Sequence, residues 1–357
     1  MKVGFCQFMM VMPLCALTLS GTADSSCADM RRIGSVVASE FVAADGKTDV
    51  ADALQRLIDS HPNRTIYFPD GVYLLSHPID TPAHPKRSVD LRLSNFAVLK
   101  ASPEWKEKAA LVRLGGKDPA NDIYTIGSNY GLTGGILDGS GKADGVSIDG
   151  GRETKIEDVS IKHVRVGIHV KRGANGGSSD ADIMHVNIVG NKTPESIGLL
   201  VEGYDNTFSN MRIAGVHVGV DLRGAGNSMR NLHPLYTCWG GDDYETSVGF
   251  LDRTGNNWYS FCYSDNFAVG FRTTGNGHSQ FDSCFCLWYC PRGTTHRVVQ
   301  ADGKFESTFN DLNVGFHGKS VTNAVLQVGA PGGRGVFNRL HGSHTRSSDE
   351  VHKSYMR

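Results

Sequence analysis

The sequence lacks the features that define several large classes of protein. Its formal net charge is −1 over 357 residues, so overall charge gives no reason to expect nucleic acid or an anionic membrane as a partner. No phosphate-binding loop, dinucleotide fingerprint or serine-hydrolase elbow is present. Proline is scarce, with twelve residues, whereas forty-three glycines are spread along the chain. That pattern indicates many tight turns rather than a flexible linker.

Cysteine is too scarce for a disulfide-built scaffold. After the N-terminal apolar run six cysteines remain: Cys27, Cys238, Cys262, Cys284, Cys286 and Cys290. The group from Cys284 to Cys290 has no CxxC pair and no histidine at ligand spacing. It therefore predicts buried small side chains or one local disulfide, and no metal ligands are assigned.

One apolar run of notable length occurs, at the N-terminus. Lys2 precedes the stretch from Phe8 to Leu19, and small residues follow at Gly21 to Ala23. This arrangement predicts a signal peptide over 1–23 and a secreted or periplasmic protein. The run is too short and too interrupted for a convincing membrane span. Cleavage after Ala28 and an uncleaved anchor are the alternatives.

Two markers repeat along the chain with one period. The first is Val-Gly-(Ile/Val/Phe) or Ile-Gly-Leu, whose glycines are 31, 21, 30 and 21 residues apart: Gly167, Gly198, Gly219, Gly249 and Gly270. The second is a series of asparagines, each followed five residues later by an apolar residue. These pairs are Asn206 and Met211, Asn227 and Leu232, Asn256 and Phe261, and Asn276 and Phe281. A repeat near 21 residues predicts a β-coil of three short strands and three turns.

One strongly amphipathic helix is predicted, over 48–60. Thr48 or Asp49 can cap it, and its apolar positions fall on one face: Val50, Leu54, Leu57 and Ile58. Because the end of a stack of coils is an open sheet edge, we expect this helix to cover that edge. The predicted architecture is all-β, with a parallel β-helix over 24–342 and a polar tail over 343–357.

The N-terminal segment resembles a known superfamily. Asp45-Gly-Lys-Thr-Asp49, continuing to Leu54, and Ile66-Tyr-Phe-Pro-Asp-Gly-Val-Tyr73 look like the start of pectate-lyase-like β-helices. The similarity is greatest to the glycosidase-28-related, "pectate lyase 3" branch. The resemblance implies a right-handed, single-stranded parallel β-helix that acts on carbohydrate. It also allows a homotrimer and calcium, although no calcium cluster matches residue by residue.

The interval between Gly219 and Gly249 exceeds one coil, and its excess falls at residues 238–245. Loops that project from a repeat stack commonly form binding grooves. The predicted acid and base candidates are Asp242, Asp243 and Glu245. The predicted sugar-stacking residues are Trp239 and Tyr244. A solvated acidic turn and a tryptophan folded onto the wall are the alternatives.

Register counting predicts a second group. Counted from the apolar markers, Tyr236 and Asp265 should be stacked neighbours, with His233 and Arg230 nearby on the same coil. A base beside a cation suits β-elimination, in which the proton α to a uronate carboxylate is removed. His233 as a structural residue and Asp265 as a turn residue are the alternatives.

A third set lies four residues after the repeat glycines: Lys171, Glu202, Arg223, Arg253 and Thr274. Stacked cations repel one another unless they are solvated or neutralised, so an anionic chain lying along Lys171, Arg223 and Arg253 is one interpretation. Solvated side chains at surface turns are the other.

Together these patterns predict an exported enzyme that cleaves a polysaccharide, with uronate-containing polymers favoured. The motifs of polygalacturonase-type hydrolases are incomplete, because only Gly241-Asp242-Asp243 and Gly277-His278 are similar to them in part. We rank a lyase slightly ahead of a hydrolase. A non-catalytic carbohydrate-binding or adhesion module and a polymer-level sugar epimerase are the alternatives.

Overall fold

The computed structural model describes eleven stretches longer than one residue, together with residue 84. These are residues 34–82, 87–117, 131–172, 178–237, 243–275, 277–289, 296–302, 306–316, 324–327, 334–337 and 340–344. The predicted signal peptide and the tail beyond residue 344 lie outside them. So do two predicted site residues, Trp239 and Asp242.

The described chain coils into three parallel sheets, and each strand pairs with the equivalent strand of the next coil. The first sheet contains Val36–Val37, Arg64–Phe68, Val89–Leu93, Gly131–Thr133, Lys155–Glu157, Asp182–Met184, Trp258–Ser260, His278–Asp282, Glu306–Asn310 and Arg334–Phe337. The second contains Asp45–Asp49, Gly71–Leu75, Ala97–Ala101, Ile136–Asp138, Ser160–Val164, Asn187–Gly190, Tyr263–Asp265, Phe285–Trp288, Leu312–Phe316 and Leu340–His344. Thr207–Ala214 and Ser228–Leu235 run through both.

The third sheet contains Ile79–Pro82, Ala110–Lys117, Asp144–Ile148, Val166–Val170, Ile197–Val201, Val218–Leu222, Val248–Asp252, Val269–Thr273, His296–Ala301 and Ala324–Gln327. Two short 3-10 helices occupy Ala38–Glu40 and Tyr244–Thr246. The fold is the predicted right-handed parallel β-helix.

The interior is filled by ladders of like side chains. Tyr259, Phe281 and Phe309 stack with ring centroids 4.3 and 4.4 Å apart and nearly parallel planes. Phe250 and Phe271 stack in the same way at 5.0 Å. Such stacking is the direct result of parallel, in-register coils, because equivalent positions come to lie one above another.

The repeat glycines have a steric cause. A Cβ atom added at Gly219 would lie 2.4 Å from the carbonyl oxygen of Gly249 on the next coil, and one at Gly198 would lie 2.5 Å from that of Gly219. Successive coils approach too closely here for any side chain. The repeat glycines therefore lie near the start of each third-sheet strand.

The asparagine ladder is confirmed for its first two members, and the third assignment is wrong by one residue. The Nδ2 of Asn206 donates to the Oδ1 of Asn227 at 2.9 Å, and the backbone N of Asn227 donates to the Oδ1 of Asn257 at 3.0 Å. Asn257, not Asn256, therefore continues the ladder. Asn276 lies outside the described residues.

The apolar marker is wrong on the same coils. Phe261 is exposed at a corner, and Phe281 pairs with Tyr259 in a different column from Met211 and Leu232. The segment between Asn227 and the next ladder asparagine is one residue longer than we counted. The predicted register of these coils is therefore shifted by one residue.

The predicted helix is Ala51–Ser60, and it buries Ala51, Leu54, Leu57 and Ile58. It begins two residues after Asp49, whose Oδ1 accepts the backbone N–H of Ala51 at 3.1 Å. The helix packs against the first strand of the third sheet, Ile79–Pro82, at the N-terminal end of the stack. In the part of the chain that the structure describes, no helix is long and apolar enough to cross a membrane.

Cys262, Cys284 and Cys286 are buried free thiols, in agreement with their interpretation as small apolar residues. The other cysteines lie outside the described residues. Within those residues, no group of three or more histidine, cysteine, aspartate or glutamate side chains is arranged to hold a metal ion.

Candidate functional site

A row of charged side chains crosses four coils on the outer face of the third sheet. We call it the charged row, and it consists of His169, Glu202, Arg223, Asp221 and Arg253. His169 and Asp221 point outward from their strands, whereas the other three directly follow a strand. Since coils are spaced about 4.8 Å apart, the row extends about 15 Å.

Each member of the charged row contacts the next. The Nε2 of His169 lies 3.1 Å from the Oε2 of Glu202. The guanidinium of Arg223 bridges two carboxylates, with Nη1 3.4 Å from the Oε1 of Glu202 and Nη2 3.0 Å from the Oδ2 of Asp221. Arg253 donates from Nε to the Oδ1 of Asp221 at 2.6 Å. The row is thus one continuous hydrogen-bonded network.

Asp221 is the anchor of this network. It is 1% exposed, and it pairs with Leu200 on one neighbouring strand and Leu251 on the other. A carboxylate therefore lies between two leucines of adjacent coils in this outward-facing column. Two guanidinium groups neutralise it, while the side chains of Arg223 and Arg253 remain about two-fifths exposed. The arginines are held by a buried anion and present their remaining donors to solvent.

His169 is suited to act as a base. Burial lowers the pKa of His169 below the ordinary histidine value, although the Glu202 carboxylate partly opposes this. Burial also acts to raise the pKa of Glu202, but the hydrogen bond from His169 and the charge of Arg223 hold that pKa below its usual value. A neutral imidazole that donates Nε2–H to an anionic Glu202 keeps its basic lone pair on Nδ1.

Lys171, one of the three predicted row cations, lies beside the charged row. Its Nζ donates to the Oδ2 of Asp149 at 2.6 Å. Carboxylates of the wall itself pair with Lys171, Arg223 and Arg253, so the repulsion from which we inferred an anionic chain along these cations is already relieved within the protein. The argument for an anionic substrate now depends on the exposed donors of the arginines, not on mutual repulsion.

The predicted acidic loop lies at the other rim of the same sheet. Asp243 and Glu245 precede the strand Val248–Asp252, whereas Arg253 follows it. A five-residue strand separates these rims by about 16 Å. Thr246 contacts the Nε2 of His217 through its hydroxyl at 3.0 Å. Burial lowers the pKa of His217, and the nearby Asp243 opposes that shift.

Between the rims lies an apolar strip of Val218, Val248, Leu251 and Val269, which pack together on the outer face. The third sheet thus offers an apolar floor with the charged row along one edge and the Asp243 turn along the other.

Two predicted site residues are structural. Tyr236 is 1% exposed and packs edge-to-face against Tyr244 and Phe267, so its assignment as a catalytic residue is wrong. Tyr244 is also buried, and its hydroxyl lies 2.9 Å from the Nδ1 of His296, so it is not free to stack on a sugar. Both rings therefore belong to the hydrophobic core.

Arg230, His233 and Asp265 lie on other faces of the coil. Arg230 is exposed on the first sheet between Ser209 and Ser260. His233 and Asp265 lie on the second sheet, where the Nε2 of His233 is 3.4 Å from the Oδ2 of Asp265. Asp265 pairs with Leu235 and not with Tyr236. These three residues therefore do not share a groove with Arg223 and Arg253.

The sequence reasoning assigned no role to His169, Glu202 or Asp221. A signal for them was present, since His169 and Asp221 each stand two residues after a repeat glycine and Glu202 stands four after one. A comparison of the residues two positions after successive repeat glycines would have shown that charged residues alternate with leucines at an outward-facing position.

Comparison with known proteins agrees with the fold. The model of the family described as rhamnogalacturonase A/epimerase, pectate lyase-like, matches residues 37–241. No curated protein matches the sequence at a significant level.

Solved structures show the same architecture. The tailspike protein of E. coli bacteriophage HK620 in complex with pentasaccharide superposes with a TM-score of 0.65, at 12% identity, over 93% of this chain and 67% of that one. Endo-xylogalacturonan hydrolase from Aspergillus tubingensis gives 0.52 at 14% identity over 86% and 95%. Alginate lyase from Paenibacillus gives 0.50 at 15% identity over 81% and 96%.

The structural neighbours include both hydrolases and lyases of glycans, and at these identities they establish the fold. The family match covers more than half of the chain and adds a carbohydrate-active class at a coarse level. The chain belongs to the rhamnogalacturonase A/epimerase, pectate lyase-like family.

Proposed function

We propose that this protein cleaves a uronate-containing polysaccharide by β-elimination on the outer face of the third sheet. The observation that carries the proposal is the hydrogen-bonded charged row, which places a neutral histidine and two anchored arginines in one line. The preference for a lyase over a hydrolase in the sequence analysis rested on the cations Lys171, Arg223 and Arg253 and on His233 and Tyr236. Arg223 and Arg253 belong to the charged row, which supports the same preference.

The roles follow from the chemistry of elimination. The Nδ1 of His169 removes the proton α to the uronate carboxylate, and the resulting carbanion forms a double bond as the glycosidic oxygen leaves. Arg223, which contacts the same Glu202 carboxylate as His169, neutralises the uronate carboxylate and stabilises the negative charge that develops there. Arg253, at the far end of the charged row, binds the polymer away from the reacting sugar. Glu202 orients the imidazole and fixes its tautomer. Lys171 and solvent are the available proton donors to the leaving oxygen.

Hydrolysis requires a carboxylic acid that is protonated near neutral pH. The charged row does not offer one, because its environment keeps Glu202 ionised and pairs Asp221 with two guanidinium groups. Asp243 and Glu245, at the opposite rim, and their neighbour in sequence Asp242 stay a proposal for hydrolysis.

The test is incubation of the purified protein with polygalacturonate, rhamnogalacturonan and alginate. New reducing ends and the ultraviolet absorbance of unsaturated uronates are followed together. We expect both signals to rise in equal amounts with at least one polymer. Reducing ends without absorbance would contradict elimination and favour hydrolysis. A changed sugar composition without new ends would identify an epimerase, and binding without either change would identify an adhesion module.

A further inference from the structure

A second site lies on the outer face of the second sheet, around a buried carboxylate. Asp265 is 4% exposed and pairs with Leu235 on one neighbouring strand and Leu287 on the other. As at Asp221, the aspartate lies between leucines of the two adjacent coils. Here no guanidinium contacts the carboxylate among the described residues.

Two rings are held over this carboxylate. The hydroxyl of Tyr263 donates to the Oδ2 of Asp265 at 3.2 Å, and the Nε2 of His233 lies 3.4 Å from the same oxygen. The rings of His233 and Tyr263 stack with centroids 4.1 Å apart and planes 10° apart. Phe285, on the next coil, contacts Tyr263 with ring centroids 5.0 Å apart and planes tilted by 50°. The result is a preorganised aromatic shelf.

The other carboxylate oxygen of Asp265 lacks a hydrogen-bond donor among the described residues. Its Oδ1 is buried and accepts no hydrogen bond from the described residues. A buried acceptor without a donor costs roughly 1–3 kcal/mol, so an aspartate in place of a leucine is a net cost to folding unless something else uses it. A ligand hydroxyl group would supply the missing donor after a small rotation of the Asp265 carboxylate, because Oδ1 is closed to solvent in this structure.

The backbone at the corner next to the aromatic shelf is strained, and the residue there does not compensate for the strain by burial. Phe261 has φ +56° and is 59% exposed. The equivalent left-handed corners of the other coils carry small or polar residues, which are Asp158, His185, Asn210, Asn231, Ser283 and Asp311. A bulky apolar residue is disfavoured in this conformation and gains little burial here. Backbone strain of this kind is characteristic of functional sites.

Further aromatic side chains surround the shelf. Of five large apolar residues that are strongly exposed in the described part of the chain, three belong to this region: Trp258, Phe261 and Tyr289. Trp258 is on the first sheet, directly before the corner. Clusters of exposed aromatic rings on a soluble surface mark binding sites, and their faces complement the C–H faces of sugar rings.

We infer that Asp265, His233, Tyr263, Phe285 and Phe261 form a non-catalytic glycan-binding site, separate from the charged row. A pyranose ring lies against the aromatic shelf, and one of its hydroxyl groups donates to the Oδ1 of Asp265. The site would hold a remote part of the polymer, on a different face from the bond that is cleaved. It goes beyond the proposed lyase activity and does not depend on it.

The test is affinity electrophoresis in gels that contain polygalacturonate, rhamnogalacturonan or alginate. His169→Ala serves as the parent, so that the polymer is not consumed. Phe261→Asn copies the corner residue of the two preceding coils, and Asp265→Leu copies its neighbours Leu235 and Leu287. Both changes should preserve the fold, with a Tm equal to or above that of the parent.

We expect the parent to be retarded by at least one polymer. Phe261→Asn should raise the apparent Kd at least fivefold, and Asp265→Leu at least tenfold. Phe96→Asn is the matched control, because Phe96 is the most exposed of the five aromatic residues and lies far from the shelf in sequence. It should leave retardation unchanged.

Three results would overturn the inference. One is retardation that survives both substitutions at full strength, and another is the absence of retardation by any polymer. The third is self-association of the parent, seen by sedimentation, that Phe261→Asn abolishes without affecting retardation, since the face would then bind a second copy. Because retardation needs no turnover, each result stands even if the protein proves not to be a lyase.

Discussion

Asp221 and Asp265 occupy equivalent settings on two different sheets, yet their surroundings differ. Each lies between leucines of the two adjacent coils and is almost fully buried. Asp221 contacts two arginines, whereas Asp265 contacts a histidine and a tyrosine and has one oxygen that accepts no hydrogen bond from the described residues. A parallel β-helix can therefore build separate sites by single substitutions in a repeating wall, and the partner residues determine what each site can do.

The largest effect on catalysis should follow from removal of the proposed base, which lies on the same face as Asp221. We expect His169→Ala to lower kcat/KM by about 10²–10⁴-fold, the usual range for loss of a general base. The matched control is His185→Asn, because His185 is half exposed at a left-handed corner where asparagine is readily accommodated. An equal loss in both variants, or none in His169→Ala, would remove the charged row as the site of cleavage.

A smaller effect should follow from loss of an anchored arginine. Arg223→Ala should lower turnover about 10²-fold, since the developing charge on the uronate loses a fixed cation. Arg272 also projects from the third sheet but pairs with Asp302 at 2.8 Å, outside the charged row. Arg272→Ala should therefore change turnover less than threefold. Steady-state kinetics on the same polymer distinguishes the two, and similar losses would contradict a localised site.

The pH dependence sharpens the assignment of His169. Because burial lowers its pKa, the imidazole stays neutral and basic to a pH below the ordinary histidine value of about 6.5. The acidic limb of kcat/KM should therefore fall below that pH. An acidic limb at or above about pH 6.5 would indicate a base whose surroundings do not disfavour its protonated, charged form.

The smallest expected effect concerns stability and not catalysis. Burial lowers the pKa of His296 to about 4. Between about pH 6.5 and about pH 4 the unfolded chain takes up a proton that the folded chain does not, so stability falls as the pH falls. The Tm of the wild type should drop by a few degrees more over this interval than that of His296→Gln. Parallel Tm profiles would show that His296 is protonated without penalty.

Much of the fold could be predicted, because it repeats. The spacing of Gly167 to Gly270 records a steric contact between coils, and the helix near Leu54 follows from its periodicity. The site was harder to predict because register errors of one residue move a side chain to another face. Taking Asn256 for Asn257 misplaced Tyr236 against Asp265. The ion pairs that neutralise Arg223 and Arg253 depend on contacts between coils that spacing alone does not give.

The measurement that tests the central claim most directly is the comparison of Tm and turnover in Asp221→Leu. The substitution completes the column of Leu200 and Leu251, and the two arginines are exposed enough to be solvated. Removing one partner of a buried ion pair destabilises a protein when the remaining charge stays buried, whereas here the charges left behind can be hydrated and the desolvation cost of the carboxylate is removed. We predict an unchanged or higher Tm with kcat/KM reduced at least 10²-fold. A large fall in Tm, or full activity in a folded variant, would contradict the claim that Asp221 is there to hold the arginines for catalysis.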